Sequence, residues 1–422
     1  AAGEFIIPEG KSSIGRNLEN ALCLERDDGV SRVHCQLERK GNTVTLEDLS
    51  SRNGTFVNSM PIHVPIDLKH QDTIQIGNVL LIYYAGEQDS DEKTGAFAVG
   101  PKGTSSLDFV GQIIGKLQDN ISKVVQGKKE VIERVLVSLL SDGHVLLEDV
   151  PGVGKTKLAR ALARSLRTEF KRIQFTPDML PNDVSGVSVY NDAIKGFSFI
   201  PGPIFANIVL ADEINRGTPR VQSSLLECMA ESAVTVDGLQ HVLRKPFFVI
   251  ATQNPVDFHG TYPLPEAQLD RFLMRLSMGC PSFEVEKDIL SNQIASDPIN
   301  DISQVADGND ILHCQALVRS VHVSEQVKDY IVTIISETRK HPAFNYGCSP
   351  RASLALLRAS QSLAAIRTRD HVLPRDVRDL SPDVLAHRLP LKLQARAEWA
   401  DSRQVITSII NSLPLEKWEK GM

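Results

Sequence analysis

The stretch His144-Val145-Leu146-Leu147-Glu148-Asp149-Val150-Pro151-Gly152-Val153-Gly154-Lys155-Thr156 constrains this chain more than any other. An apolar strand runs into a glycine-bearing turn and then into a helix whose Leu158, Leu162 and Leu166 recur every fourth residue, which gives that helix a core face. A turn of this kind lets backbone N–H groups wrap a phosphate chain. Pro151, Gly152, Val153, Gly154 and Lys157 are the candidate cradle. Lys155 can reach β- and γ-phosphates, and the Thr156 hydroxyl can hold Mg²⁺. The helix aims its positive end at the same phosphates. One position departs from the pattern: Asp149 stands where the first glycine is expected.

Two further strands support the reading. Residues 207–213 are an apolar run ending in Asp212-Glu213, as expected for a central strand of a parallel sheet covered on both faces. Carboxylates just past such a strand lie where open α/β sheets bind ligands. Asp212 would hold Mg²⁺, directly or through water, and Glu213 would polarise the attacking water. Residues 246–252 form another apolar strand, ending in Gln253-Asn254-Pro255, which brings an amide toward the same phosphates.

From about Phe109 onward the chain resembles an AAA+ ATPase of the MoxR family. The resemblance rests on residues 147–156, on Pro201-Gly202-Pro203-Ile204-Phe205-Ala206-Asn207, on Ala251-Thr252-Gln253-Asn254-Pro255, on Glu266-Ala267-Gln268-Leu269-Asp270-Arg271-Phe272 and on Ser349-Pro350-Arg351-Ala352. It implies ATP and Mg²⁺ as cofactors, an ATPase reaction, and a homo-hexameric ring. It also implies that Asp149 is an accepted variant. Asn254 then corresponds to the first sensor, which positions the attacking water. Arg271 corresponds to the arginine finger, stabilising charge on a neighbouring subunit's nucleotide. Arg275 is close enough to compete for that part. Arg351 corresponds to the second sensor, touching the γ-phosphate from a C-terminal helical lid.

The N-terminal part carries different signals. Gly15-Arg16, Ser31-Arg32-Val33-His34 and residues 48–58, with Arg52-Asn53-Gly54, come in that order among short strand patterns. Residues 43–46 and 73–76 alternate, residues 79–84 are apolar, and Asn53-Gly54, Lys40-Gly41-Asn42 and Gly77-Asn78 supply turn chemistry. Such a pattern predicts a β-sandwich with its loops gathered at one end. Over about Phe5 to Gly86 it resembles a forkhead-associated (FHA) domain, which implies phosphothreonine recognition. Arg16 and Ser31 would bind the phosphate, with Arg52 facing it and Asn53 on the ligand backbone. Arg32 belongs to the same loop set and, with His34, fits a bracing role. A module that keeps the fold without reading phosphothreonine is the alternative.

The expected fold is thus multidomain: an all-β sandwich over 1–86, a linker over 87–107, an α/β core with a parallel sheet over 108–280, and a helical lid over 281–422. The linker begins acidic (Glu87, Asp89, Asp91, Glu92) and continues with Gly and Ser, which predicts flexibility. Thr94 and Thr104 lie in it as candidate phosphosites or plain solvated residues. After the P-loop helix, residues 188–199 have hairpin spacing, and Phe197 and Phe199 fit either a client contact facing a ring pore or the core of that insertion. The helical patterns 323–339 and 351–367 suit a lid covering the nucleotide.

Net charge is −6, and no run of Lys/Arg marks a nucleic-acid face. No apolar segment is long enough for a membrane span, and no signal-peptide pattern is seen. Cys23, Cys35, Cys228, Cys280, Cys314 and Cys348 are scattered without metal-ligand spacing, as expected of buried, reduced thiols in a cytoplasmic protein. Three functions fit: a ring ATPase that remodels or activates protein clients and is directed by phosphothreonine, for which the resemblance implies a protein with a von Willebrand factor A domain as one candidate client, with the need for such a partner left open; a DNA-acting motor, which the lack of basic stretches disfavours; and a phosphopeptide adaptor on an inactive ATPase scaffold, which the complete set of charged residues disfavours.

Overall fold

A computed structural model describes residues 3–17, 19–24, 29–41, 43–57, 60–62, 64–69, 72–77, 79–84, 96–99, 106–150, 152–192, 195–254, 261–295 and 298–419. The chain divides into two compact units, Ala1–Asp108 and Phe109–Met422.

The first unit is all β. Its strands are β1 (Gly3–Ile6), β2 (Gly10–Gly15), β3 (Leu22–Cys23), β4 (Cys35–Lys40), β5 (Thr43–Asp48), β6 (Thr55–Val57), β7 (Met60–Pro61), β8 (Ile66–Asp67), β9 (Thr73–Ile76), β10 (Val79–Tyr84) and β11 (Ala96–Val99). They form two sheets, ordered β1-β11-β10-β9-β6-β7 and β3-β2-β4-β5-β8. Alternation sets the faces: β5 buries Val44 and Leu46 and exposes Thr43 and Glu47. Ile14, Leu37 and Leu46 from one sheet share a core with Ile74, Ile76, Leu81 and Tyr83 from the other. The sandwich is as the sequence predicts, with one correction. The linker expected over 87–107 contains β11, which pairs with both β1 and β10. Its Ala-Phe-Ala-Val sequence has the alternation and β-propensity of a strand, and it closes a gap between two strands distant in sequence. Thr94 and Thr104 lie outside the described residues.

The second unit is built on a parallel sheet of β12 (Val145–Glu148), β13 (Phe170–Gln174), β16 (Ile208–Asp212), β19 (Phe248–Gln253) and β20 (Met274–Leu276). Two hairpins interrupt it, β14 (Gly186–Asn191) with β15 (Gly196–Pro201) and β17 (Ala233–Val236) with β18 (Leu239–Val242). The spatial order is β13-β16-β19-β12-β20, every pairing parallel. Val145, Leu146, Leu147, Ile208, Val209, Leu210, Val249 and Ile250 are all 0% exposed, which is why these strands read as continuous apolar runs. Truncating one of their large side chains costs about 2–5 kcal/mol.

The helices of the core are α1 (Ser106–Ser122), α2 (Lys129–Leu140), α3 (Lys155–Ser165), α4 (Pro181–Ser185), α5 (Pro219–Glu231) and α6 (Glu266–Leu269). The C-terminal helices are α7 (Phe283–Ala295), α8 (Gly308–Val318), α9 (Glu325–Lys340), α10 (Pro350–Ile366), α11 (Pro374–Leu385), α12 (Ser402–Asn411) and α13 (Glu416–Glu419). α10 and α8 pack on α2, and α11 packs on β20. Arg134 of α2 is buried and pairs with Asp383 of α11 at 3.2 Å. The apolar faces of α9 and α10 pack on α2, on one another and on α11 and α12. Among the cysteines, Cys280 is exposed and Cys23 half-buried rather than buried.

Candidate functional site

The loop between β12 and α3 adopts the conformation its glycines allow. Gly152 (φ 89°) and Gly154 (φ 96°) are left-handed, a region that other side chains rarely enter. Gly154 precedes α3 without a side-chain cap, so the first N–H groups of that helix, at Lys155, Thr156 and Lys157, lack an intrahelical partner. Lys155 is 9% exposed, and its Nζ donates to the Asp149 carbonyl at 2.8 Å. Burial lowers its pKa from the ordinary lysine value, and the charges of Asp149, Asp212 and Glu213 oppose that shift. Pro151 lies outside the described residues.

Asp149, the departure from the glycine pattern, has a structural account. Its carboxylate accepts from the Ser277 hydroxyl at 2.7 Å, from the Met278 N–H at 2.6 Å and from the Gly279 N–H at 3.0 Å. It therefore ties the start of the loop to the segment just after β20, and its own backbone is not left-handed.

Asp212 ends β16 and Glu213 follows it. Glu213 has a left-handed backbone (φ 55°), a strained conformation for a residue with a side chain, and it turns the chain sharply out of the strand. Thr252 of β19 holds both. Its Oγ1 accepts the Glu213 N–H at 2.8 Å and donates to Asp212 Oδ1 at 2.6 Å. From β13, Arg172 reaches Asp212 Oδ2 through Nε at 3.0 Å and Nη2 at 2.6 Å. Gln174 Nε2 donates to Glu213 Oε2 at 3.0 Å, and Arg216 Nε lies 3.2 Å from the same oxygen. Asn254 is 9% exposed, directly beyond β19, whose Gln253 faces Glu148 across the sheet.

These elements enclose a cavity of about 650 Å³. Of the residues the sequence singles out, Gly152, Val153, Gly154, Lys155, Thr156, Lys157, Asp212 and Glu213 line it, and Asn254, Arg271 and Arg351 do not. Val124, Val125, Gln126, Lys128, Arg172, Pro281 and Ile289 complete the wall. None of these carries a motif that would single it out: the wall is made where the connection between α1 and α2, the edge strand β13, and α7 with the residues just before it meet. The donor set fits a magnesium nucleotide. Uncapped N–H groups, Lys155, Lys157, Lys128 and Arg172 suit a polyphosphate, a hydroxyl and carboxylates suit Mg²⁺, and Val124, Val125, Pro281 and Ile289 suit an apolar base.

The arginines lie elsewhere. Arg271 is half-buried and donates through Nη1 to the Leu226 carbonyl of α5. Arg275, on β20, pairs with Glu148 at 3.0 Å and so braces its own sheet. Arg351 is exposed at the start of α10 and lies 3.7 Å from Asp270, the residue before Arg271. The second-sensor candidate therefore stands beside the finger candidate and away from the cavity of its own chain.

In the first unit the three loops interlock. The Arg16 N–H donates to the Ser31 carbonyl at 2.9 Å, and the Asn17 N–H to the Arg32 carbonyl at 3.0 Å. Ser31 Oγ accepts the Arg52 N–H at 3.0 Å, which leaves its own proton to donate. Asn53 Nδ2 donates to the Gly29 carbonyl at 2.8 Å. His34 is fully buried: Nδ1 accepts the Ser31 N–H at 3.0 Å, so Nε2 carries the proton and donates to the Gly54 carbonyl at 3.1 Å. Arg32 and Arg52 are exposed beside Ser31.

Comparison with known proteins agrees with both units. The ATPase family associated with various cellular activities (AAA) matches residues 144–274, an AAA lid domain matches 336–409, and an FHA domain matches 12–77. The chain is 50% identical over 301 residues to YeaC of Bacillus subtilis (strain 168), covering 71% of this chain and 94% of YeaC. It is 41% identical over 324 residues to the chaperone MoxR1 of Mycobacterium tuberculosis, covering 75% and 85%. Among solved structures, a Cytophaga hutchinsonii protein described as an ATPase superposes with a TM-score of 0.69 at 38% identity, covering 74% of this chain and 96% of that one.

Proposed function

This chain belongs to the MoxR family of AAA ATPases and carries an FHA domain at its N-terminus, and from that premise we propose that it hydrolyses Mg-ATP as a ring, remodels or activates protein clients, and is directed to them by phosphothreonine. The observation that carries the ATPase reading is the convergence of Lys155, Thr156, Asp212 and Glu213 on one cavity from the start of a helix and the end of a strand. Lys155 and the N–H groups of Gly154 to Lys157 hold the phosphates. Thr156 and Asp212 hold Mg²⁺, which when bound supplies charge neutralisation on the phosphates. Arg172 shares Asp212 and is the cation nearest that carboxylate. Glu213, held by Gln174 and by the Thr252 hydroxyl, takes a proton from water, and Asn254 orients that water.

Arg271 serves the neighbouring subunit's nucleotide. The pairing of Arg275 with Glu148 favours Arg271 over Arg275 for this part. The position of Arg351 beside Asp270 supports the same assignment for Arg351, acting across the subunit boundary rather than as a cover on its own site. For the FHA domain, the Ser31 hydroxyl flanked by Arg16, Arg32 and Arg52 suits a phosphate, and Asn53 suits the adjoining peptide backbone.

The test is nucleotide binding and steady-state hydrolysis in Mg²⁺. Lys155→Ala should lose ATP binding. Glu213→Gln should bind ATP as the parent does and hydrolyse it about 10²-fold or more slowly, because only proton abstraction is removed. Parental turnover in Glu213→Gln rules out the assigned base.

A further inference from the structure

The residues on either side of Arg271 are gripped by one guanidinium from the C-terminal helices. Arg388 ends the one-turn helix Ala386–Arg388 and is 7% exposed. Its Nη1 donates to the Asp270 carboxylate, its Nη2 to the Phe272 carbonyl at 2.7 Å and its Nε to the Val384 carbonyl at 2.9 Å. His387 Nε2 donates to the same Phe272 carbonyl at 3.0 Å, and the Tyr346 hydroxyl donates to Glu266. Arg351 shares Asp270 from its other carboxylate oxygen at 3.7 Å.

A buried guanidinium is costly unless its donors are placed, and here one planar fork reaches both flanks of a single residue. Holding the side chain at 270 and the carbonyl at 272 fixes the backbone direction from which the Arg271 side chain departs. Asp270, held from the other side, presents Arg351 on the same edge. We propose that Arg388 is a positioning residue that aims Arg271 and Arg351 at the neighbouring subunit's nucleotide, so that the C-terminal helices of one subunit set the hydrolysis rate of the next. The proposal rests on the reading that Arg271 acts across the subunit boundary.

The segment also explains how a subunit's own site is joined to this edge. β20 starts two residues after Phe272, and the residues just beyond its far end are clasped by Asp149 of the phosphate loop. One short strand thus links the loop that holds a subunit's own nucleotide to the arginine that serves its neighbour's.

Arg388→Lys keeps a charge for Asp270 but cannot straddle residues 270 and 272. In the full-length protein its melting temperature should fall by several degrees, as lost buried hydrogen bonds require, and its affinity for a fluorescent ATP analogue should stay close to that of the parent, while kcat falls about 10–100-fold with KM little changed. Mixed in equal amounts with Lys155→Ala, which keeps an intact Arg271, it should recover about a quarter of the parental rate, because that fraction of interfaces joins an intact pocket to a correctly aimed arginine. Arg271→Ala mixed with Lys155→Ala is the control. If that control recovers and Arg388→Lys does not, Arg388 only supports the fold and the proposal is overturned. If the control itself fails, the assignment of Arg271 is wrong and the proposal falls with it. If Arg388→Lys does not fold, Asp270→Asn combined with Arg388→Met removes both charges together and enters the same mixture, where absence of recovery is again decisive. Parental kcat in either variant also overturns the proposal.

Discussion

The Thr252 hydroxyl accepts the Glu213 N–H and donates to Asp212, so one side chain sets the relation between the two carboxylates at the end of β16. It is 1% exposed, and replacing it by valine leaves a buried N–H without its acceptor, at a cost of about 1–3 kcal/mol. Thr252→Val should keep ATP binding and lose about 10–100-fold in kcat, as expected when a reacting group drifts from its geometry. Thr252→Ser, which restores the hydroxyl, should recover most of the loss. Steady-state kinetics of the pair checks this, and a valine variant with parental kcat removes Thr252 from the site. Asp212 and Glu213 were legible in the sequence because a carboxylate pair after an apolar run is unusual. Thr252, Arg172, Gln174 and Arg388 were not: each looks ordinary in its own segment, and its meaning lies in a partner on another strand or helix. Asp149 is an intermediate case, visible as a departure but understood only once its three donors after β20 are seen.

At the scale of elements, the insertion between β13 and β16 separates two aromatic residues that the sequence leaves equivalent. Phe197 is 74% exposed and meets Tyr190 edge-on at 5.6 Å, whereas Phe199 stacks on His241 at 4.0 Å and meets Phe205 at 5.4 Å. Two residues apart on β15, the two rings share one face of the hairpin; His241 of β18 and Phe205 cover Phe199, whereas Phe197, nearer the turn, is left exposed. The second hairpin, β17–β18, turns on Asp237-Gly238, both left-handed, the turn chemistry that joins short antiparallel strands. Phe199→Ala should cost about 1–3 kcal/mol of stability by lost stacking and burial. Phe197→Ser should stay within about 0.5 kcal/mol of the parent, which leaves it available for a client. Urea unfolding of both variants checks the contrast, and equal losses would place both rings in the core. The FHA loops were read more fully, because turn residues and a Gly-Arg, Ser-Arg-x-His and Arg-Asn-Gly order carry their own geometry. For them, Arg16→Ala should reduce binding of a phosphothreonine peptide by at least about 30-fold, equivalent to about 2 kcal/mol, and leave binding of the unphosphorylated peptide unchanged. Fluorescence anisotropy with both peptides is the measurement, and an unchanged ratio removes Arg16 from phosphate recognition.

At the scale of the whole ATPase unit, two buried histidines flank the joint between the Arg271 segment and β20. His144 accepts the Val249 N–H through Nδ1 at 3.1 Å and donates from Nε2 to the Met229 carbonyl at 3.2 Å, and its own carbonyl accepts the Leu273 N–H at 2.8 Å. His387 donates to the Phe272 carbonyl next to it. Burial pushes the His144 pKa down to about 4, and burial followed by the charge of Arg388 pushes that of His387 well below the usual range. Both rings are therefore neutral in the folded chain at neutral pH. The sign follows from proton counting: between about pH 4 and 6.5 the unfolded chain binds the proton that folded His144 refuses, so stability is full above the unfolded pKa and is lost as pH falls through this window. For His144 alone the loss by pH 4 is on the order of 3 kcal/mol, and His387 adds in the same direction. The joint that links the phosphate loop to Arg271 is thus sensitive to acid through both rings. Urea unfolding of the parent as a function of pH should show a shallow profile near neutrality and a steep fall from about pH 6.5 toward 4. His144→Gln, whose amide can accept and donate once each at the same two partners, should be less stable than the parent at pH 7 but flatter across that window. Parallel profiles for the two proteins would show that His144 is not the group being titrated, and the acid sensitivity would then belong to the carboxylates.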